Sequence, residues 1–171
     1  LLTASLPVLL LHTGADKIVL GTWALSSTEV LEELSSALGA QAVVASVDAI
    51  ATARGSFYTY NYLTDRSIGV SAQAFVQGVV ARGAGEVLLT AVHREGSRTG
   101  YDLRLIRSVV TAVQTPVIAH GGAGSVGHCV EAAQAGAQAV AAASLFHFTS
   151  ATPEEVRAAL GAAGFIVRSA A

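Results

Sequence analysis

Apolar residues fall along this chain in short unbroken runs rather than in strict alternation. Four runs follow a Gly-Ala pair: "GADKIVLGT" (14–22), "GAQAVVASVDA" (39–49), "GAGEVLLTAVH" (83–93) and "GAQAVAAASLF" (136–146). A fifth, "TPVIAHGGAG" (115–124), begins after Pro116, which disfavours a helix running into it. Consecutive apolar positions of this length predict strands covered on both faces, the habit of parallel sheets. Between them lie stretches with the 3.6-residue period of helices. "SSTEVLEELSSALG" (26–39) places Val30, Leu31, Leu34 and Leu38 on one side and stops at Gly39. "SAQAFVQGVVARG" (71–83) and "YDLRLIRSVVTAV" (101–113) are built alike, and "SVGHCVEAAQAG" (125–136) ends at Gly136. "TPEEVRAALGAAG" (152–164) opens with Thr152 as cap, Pro153 at the first helical position and two glutamates in the first turn. The alternation predicts an α/β fold with right-handed crossovers.

Two architectures fit, the doubly wound open sheet and the (βα)8 barrel. No G-x-G-x-x-G follows the first run, which weakens a dinucleotide-binding sheet. Polar residues gather at the C-terminal ends of the strands: Thr22, Asp48, His93 to Glu95, His120 and Ser144. Barrel enzymes place their chemistry at that end. "HGGAG" (120–124), followed one unit later by "AAAS" (141–144), has the look of a barrel phosphate site, where backbone N–H groups face an anion. These features favour the barrel. Five strands are legible where a barrel has eight, so the chain is expected to form a single partial βα-barrel domain over 1–171. With no initiator Met, the beginning of the gene product is expected to be absent.

Composition narrows the function classes. The 171 residues are 52% hydrophobic and 13% charged with a net charge of −2, and no basic stripe suggests a nucleic-acid surface. No apolar run reaches the ~18 residues of a membrane span, and a single cysteine, Cys129, fits a reducing, cytoplasmic setting. Cys129 falls inside a helix with no activating neighbour, so a packed role is expected. His93, His120 and His147 end three successive strands, but no H-x-H or H-x-x-E spacing supports a metal, and none is expected. His12 and His128 fall on helices, where surface or capping roles are expected.

The runs "GADKIVLGT", "AVVASVDA", "GAGEVLLTAVHREGSRTGYDL", "PVIAHGGAG" and "AAASLFHF", in this order and spacing, resemble the cyclase subunits of imidazole glycerol phosphate synthase, barrel enzymes of histidine biosynthesis. The likeness covers residues 10 to 168 and implies that these are barrel strands four to eight. It also implies that the opening "LLTAS", "LPV" and "LLLHTGADK" are fragments of strands two and three joined from a longer chain. It implies a lyase and cyclase reaction. Ammonia attacks a ribulosyl aminoimidazole carboxamide ribonucleotide, which splits into imidazole glycerol phosphate and an aminoimidazole carboxamide ribonucleotide. The family uses two aspartates as general acid and base, and carboxylates in unlike environments suit that division. Asp48 matches one of them; the other belongs to strand one and has no match here.

The resemblance implies further roles. Gly21 and Thr22 match one phosphate-binding turn, and Gly121, Gly122, Ala143 and Ser144 match the other. Glu95 and Gly96 match a substrate-contacting pair, on a loop that Gly96 and Gly100 are expected to keep flexible. His147 matches a family histidine, although a structural role suits its position equally. At the opposite rim, Lys17 and Glu86 match half of a charged ring that gates ammonia, and Asp16 a contact to a glutaminase (glutamine amidotransferase) partner. The implied ligands are a small phosphorylated substrate and ammonia, with no cofactor, membrane or nucleic acid. Blander readings exist for each: a capping carboxylate for Asp48, tight-turn glycines for "HGGAG", and a surface ion pair for Lys17 and Glu86. The family usually has Asn at Gly21, Asp at His93, Asp at Glu95 and Ser at His120, and "FYTYNYLTDRSIG" (57–69) departs from its Gly- and Lys-rich loop. These departures leave two alternatives open. One is ammonia-dependent amidation of sugars for surface polysaccharides; the other is a non-catalytic barrel remnant serving as a scaffold.

Overall fold

The computed structural model describes residues 14–21 and 28–168. Five parallel strands run through it: β1 (Ile18–Leu20), β2 (Val43–Ala51), β5 (Glu86–Ala91), β6 (Val117–His120) and β7 (Ala139–Val140). Each is one of the five runs read from sequence. They lie side by side in chain order, β1-β2-β5-β6-β7, every pair parallel. A doubly wound sheet reverses its strand order at a switch point. No reversal occurs here, so right-handed crossovers place the connecting helices on one face, as in a barrel wall. Among the described residues the sheet does not close on itself.

That one face is covered by α1 (Thr28–Leu38), α2 (Ala72–Ala81), α3 (Leu103–Val110), α4 (Val126–Gln134) and α6 (Pro153–Ala162), with the short α5 (Ser144–Phe148) after β7. The helices form where the apolar period and caps predict them. Ser71, Asp102, Ser125 and Thr152 each accept a hydrogen bond from a first-turn amide. The cap of α1 falls outside the described residues, as do Thr22, His12 and the opening residues 1–10.

Alternation along the strands decides which side chains meet the helices. Val43, Ala45, Val47 and Ala49 of β2, and Val87, Leu89 and Ala91 of β5, are buried against Leu31, Leu34, Val76, Val79, Leu105 and Val109. A second cluster joins Ala119 of β6 to Ile106, Cys129, Ala132, Leu145 and Val156. The opposite face holds Val19, Val44, Ser46, Asp48, Glu86, Leu88, Thr90, Ile118 and His120. This concave face is less covered than the unbroken apolar runs suggest. Its coverage is uneven: Val44 and Thr90 are buried, whereas Val19 on β1 is 56% exposed.

One element departs from the sequence reading. Residues expected to form the loop 57–69 make an antiparallel hairpin, β3 (Phe57–Asn61) and β4 (Arg66–Ser71). β3 pairs with the last residues of β2, Ala49 to Ala51, on the edge whose beginning pairs with β1. The hairpin therefore rises from the C-terminal rim.

Candidate functional site

Strand register lines up the polar residues. Asp48 of β2 pairs with Thr90 of β5, and Thr90 with His120 of β6, so the three form a row across the C-terminal end of the concave face. Thr90 is buried, and its hydroxyl lies 3.2 Å from His120 Nδ1. Gly21 follows β1 at the same end of the sheet.

Beyond that row lies a small cavity of about 110 Å3. Glu95 and Gly96 from the turn after β5, Gly121 and Gly122 after β6, and Ala143 and Ser144 after β7 all line it, with His120, Ala123 and Ala142. Three separate βα turns thus bring six residues singled out in sequence into one pocket. The amides of Gly122, Ala123 and Ala143 donate to no backbone carbonyl among the described residues. A cavity walled largely by backbone, with one imidazole and one carboxylate, suits an anion bearing its own hydrogen-bond donors.

The glycines of "HGGAG" have a steric cause. Gly121 and Gly122 have φ of 90° and 102°. A Cβ on Gly121 would meet Ala91 O at 2.8 Å, and one on Gly122 would meet Gly100 O at 2.3 Å. Close approach between neighbouring βα turns, as well as room for a ligand, demands glycine there. The expected mobility of the Gly96–Gly100 loop needs correction. Gly100 is buried, and its N–H donates to Gly122 O at 2.8 Å, so it clamps two turns together. The Glu95 amide is likewise bonded to Ala91 O. Gly96 has a φ of 73° and no heavy atom within 4 Å of where a Cβ would stand, so its positive φ rather than crowding favours glycine there.

His93 is a clasp. Ala51 N–H donates to its Nδ1 at 3.3 Å, which makes Nε2 the donor to Asp102 Oδ2 at 2.9 Å. Asp102 also caps α3, so the ring ties the end of β2 to the start of a helix. His147 is exposed on α5, and His128 Nδ1 accepts from Gly124 N–H near the start of α4. Among the described residues no group of three His, Cys, Asp or Glu side chains is placed to hold a metal ion. Cys129 is buried beside the Tyr101 hydroxyl, and burial pushes its thiol pKa up, away from reactivity.

Tyr62 was not singled out in the sequence. It sits at the hairpin tip, and its hydroxyl donates to Glu95 Oε2 at 3.0 Å. Although the residue is half-exposed, partial desolvation, the hydrogen bond to Glu95 and then the charges of Glu95 and Asp48 raise its phenol pKa above the usual range. Its signal was the two-residue spacing of Tyr58, Tyr60 and Tyr62, a strand period that puts aromatics on one face.

At the opposite end of the concave face, Lys17 just before β1 and Glu86 at the start of β5 form an ion pair across β2. Asp16 is exposed next to Lys17.

Comparison with known proteins agrees with this architecture. Residues 8–152 match the family model described as "Histidine biosynthesis protein". The chain is 42% identical over 165 residues to "Imidazole glycerol phosphate synthase subunit HisF" of Mycobacteroides abscessus, an alignment covering 93% of this chain and 64% of that protein. The chain thus spans somewhat less than two thirds of the curated relative it matches. With strands in barrel order and a match over most of its length, the chain belongs to the histidine biosynthesis protein family of (βα)8 barrels.

Proposed function

We propose that this chain carries the acceptor half of an ammonia-dependent cyclase and lyase site, acting on the ribulosyl aminoimidazole carboxamide ribonucleotide of histidine biosynthesis. The observation that carries the reading is the cavity formed by Glu95, Gly96, Gly121, Gly122, Ala143 and Ser144 on the same rim as Asp48. In this reading the cavity holds one phosphate of the substrate through backbone N–H groups. Gly21, which follows β1 at the same rim, contributes to the hold on the other phosphate. Asp48 lies between them along the rim and moves protons as ammonia adds and the product ring closes. Its carboxylate is half-buried on the concave face, where substrate displaces water. Lys17 and Glu86 guard the far end of that face. With Asp16 they form the side from which a glutaminase subunit delivers ammonia, a larger role than the ~0 to 1 kcal/mol of an exposed ion pair.

Turnover of the ribonucleotide with ammonium salts, followed by absorbance, tests the reading. Asp48→Asn is expected to lower kcat by at least ~10²-fold, the usual loss for a proton-transferring carboxylate. An unchanged rate would remove Asp48 from the mechanism. A second reading, ammonia-dependent amidation of a phosphorylated sugar, is favoured by His120 lining the cavity where the cyclases usually have Ser. It predicts no turnover of the ribonucleotide by the unaltered protein.

A further inference from the structure

The hairpin β3–β4 carries an aromatic device that neither the proton transfer nor the phosphate cradle uses. Tyr62 reaches from its tip to the cavity wall and donates to Glu95 Oε2 at 3.0 Å. Its ring is braced edge-to-face by Tyr60, with centroids 5.1 Å apart, and the Tyr60 hydroxyl is itself tied to Asp65. Glu95 Oε1 has no hydrogen-bond partner among the described residues.

A carboxylate beside an anion cavity repels a bare phosphate. It turns favourable only when the ligand presents a donor to it, such as a hydroxyl near the phosphate. A mobile glutamate would lose rotamer entropy in forming that bond, and one already held by a neighbour loses less. We propose that Tyr62 is a positioning residue: by fixing Glu95 through Oε2, it directs the remaining carboxylate oxygen to a hydroxyl of a phosphorylated polyol seated in the cavity. Tyr62 thereby sets preference for hydroxyl-bearing phosphates over inorganic phosphate. The proposal rests on the phosphate reading of the cavity given above.

The test measures binding of inorganic phosphate and of glycerol 3-phosphate by titration calorimetry at fixed pH and ionic strength. The unaltered protein is expected to bind glycerol 3-phosphate the more tightly. Tyr62→Phe keeps the ring but removes the donor. It is expected to weaken glycerol 3-phosphate about fivefold, the size of one hydrogen bond, and to leave inorganic phosphate within twofold. A structural lesion would weaken both probes alike, so the ratio separates positioning from folding. Equal losses, or no loss for either probe, overturn the proposal alone. If the unaltered protein binds neither probe, the phosphate reading fails and this proposal fails with it.

Discussion

Tyr101 shows what burial does to a single polar side chain. Its ring is almost wholly inside, and its hydroxyl donates to Ala141 O at 2.9 Å, linking the start of α3 to the segment after β7. Burial, and then the neighbouring Cys129, raise its pKa above the ordinary value of 10.0. Above pH ~10 the unfolded chain releases the phenolic proton while the folded chain keeps it. This contribution to stability is complete below pH 10 and declines as pH rises further. Tyr101→Phe should cost about 1 kcal/mol at neutral pH for the lost hydrogen bond. It should also give a shallower loss of stability between pH 10 and 11, read from urea unfolding midpoints. Parallel curves for the two proteins would show that Tyr101 is not the source. Gly122 makes the complementary point: Gly in "HGGAG" is legible as a turn, but Gly100, the backbone that excludes a Cβ there, lies 22 residues away in sequence.

Elements whose determinants are local follow the sequence closely. Helix α6 begins where Thr152, Pro153 and two glutamates place it, and Thr152 and Glu155 form a reciprocal capping box. Thr152→Ala should therefore destabilise the protein by about 1 kcal/mol, visible in thermal unfolding, and Glu155→Gln should cost less because the amide oxygen still accepts. A Thr152→Ala protein as stable as the original would contradict the cap's importance. The hairpin β3–β4 shows the limit of local reading. β4, "RSIGVS", is exposed along nearly its whole length, and its short alternation of Ile68 and Val70 marks no buried face, since both side chains remain exposed. Its place is decided by β3 pairing with Ala49 to Ala51, and that pairing carries Tyr62 to Glu95. His93 was likewise visible as a polar residue at a strand end, yet its role came from Ala51 and Asp102, its partners across two turns.

Across the whole molecule, stability should be graded by position in the sheet. β2 and β5 are hydrogen-bonded along both edges and sit over the larger apolar cluster. β4 and β7 stand at the ends of the strand order. Hydrogen exchange is expected to be slowest for the amides of β2 and β5 and faster by at least ~10-fold in β4 and β7. Protection of β7 equal to that of β5 would mean that its free edge is covered in solution.

By itself, the sequence determined what depends on neighbours within a few residues: five strands, five helices with their stops and caps, and the family pattern of motifs at strand ends. Those signals are local because helix capping, apolar periodicity and glycine turns act over one or two turns of chain. It also placed Asp48, Glu95, Gly121 and Ser144 at the same kind of position, the end of a strand. Only the tertiary structure decided that parallel register sets Asp48, Thr90 and His120 in one row and folds three βα turns around one cavity. The hairpin over the rim and the Lys17–Glu86 pair across β2 belong to the same class. Such contacts join residues tens of positions apart, and their geometry is fixed by how strands align, which no single stretch of chain encodes.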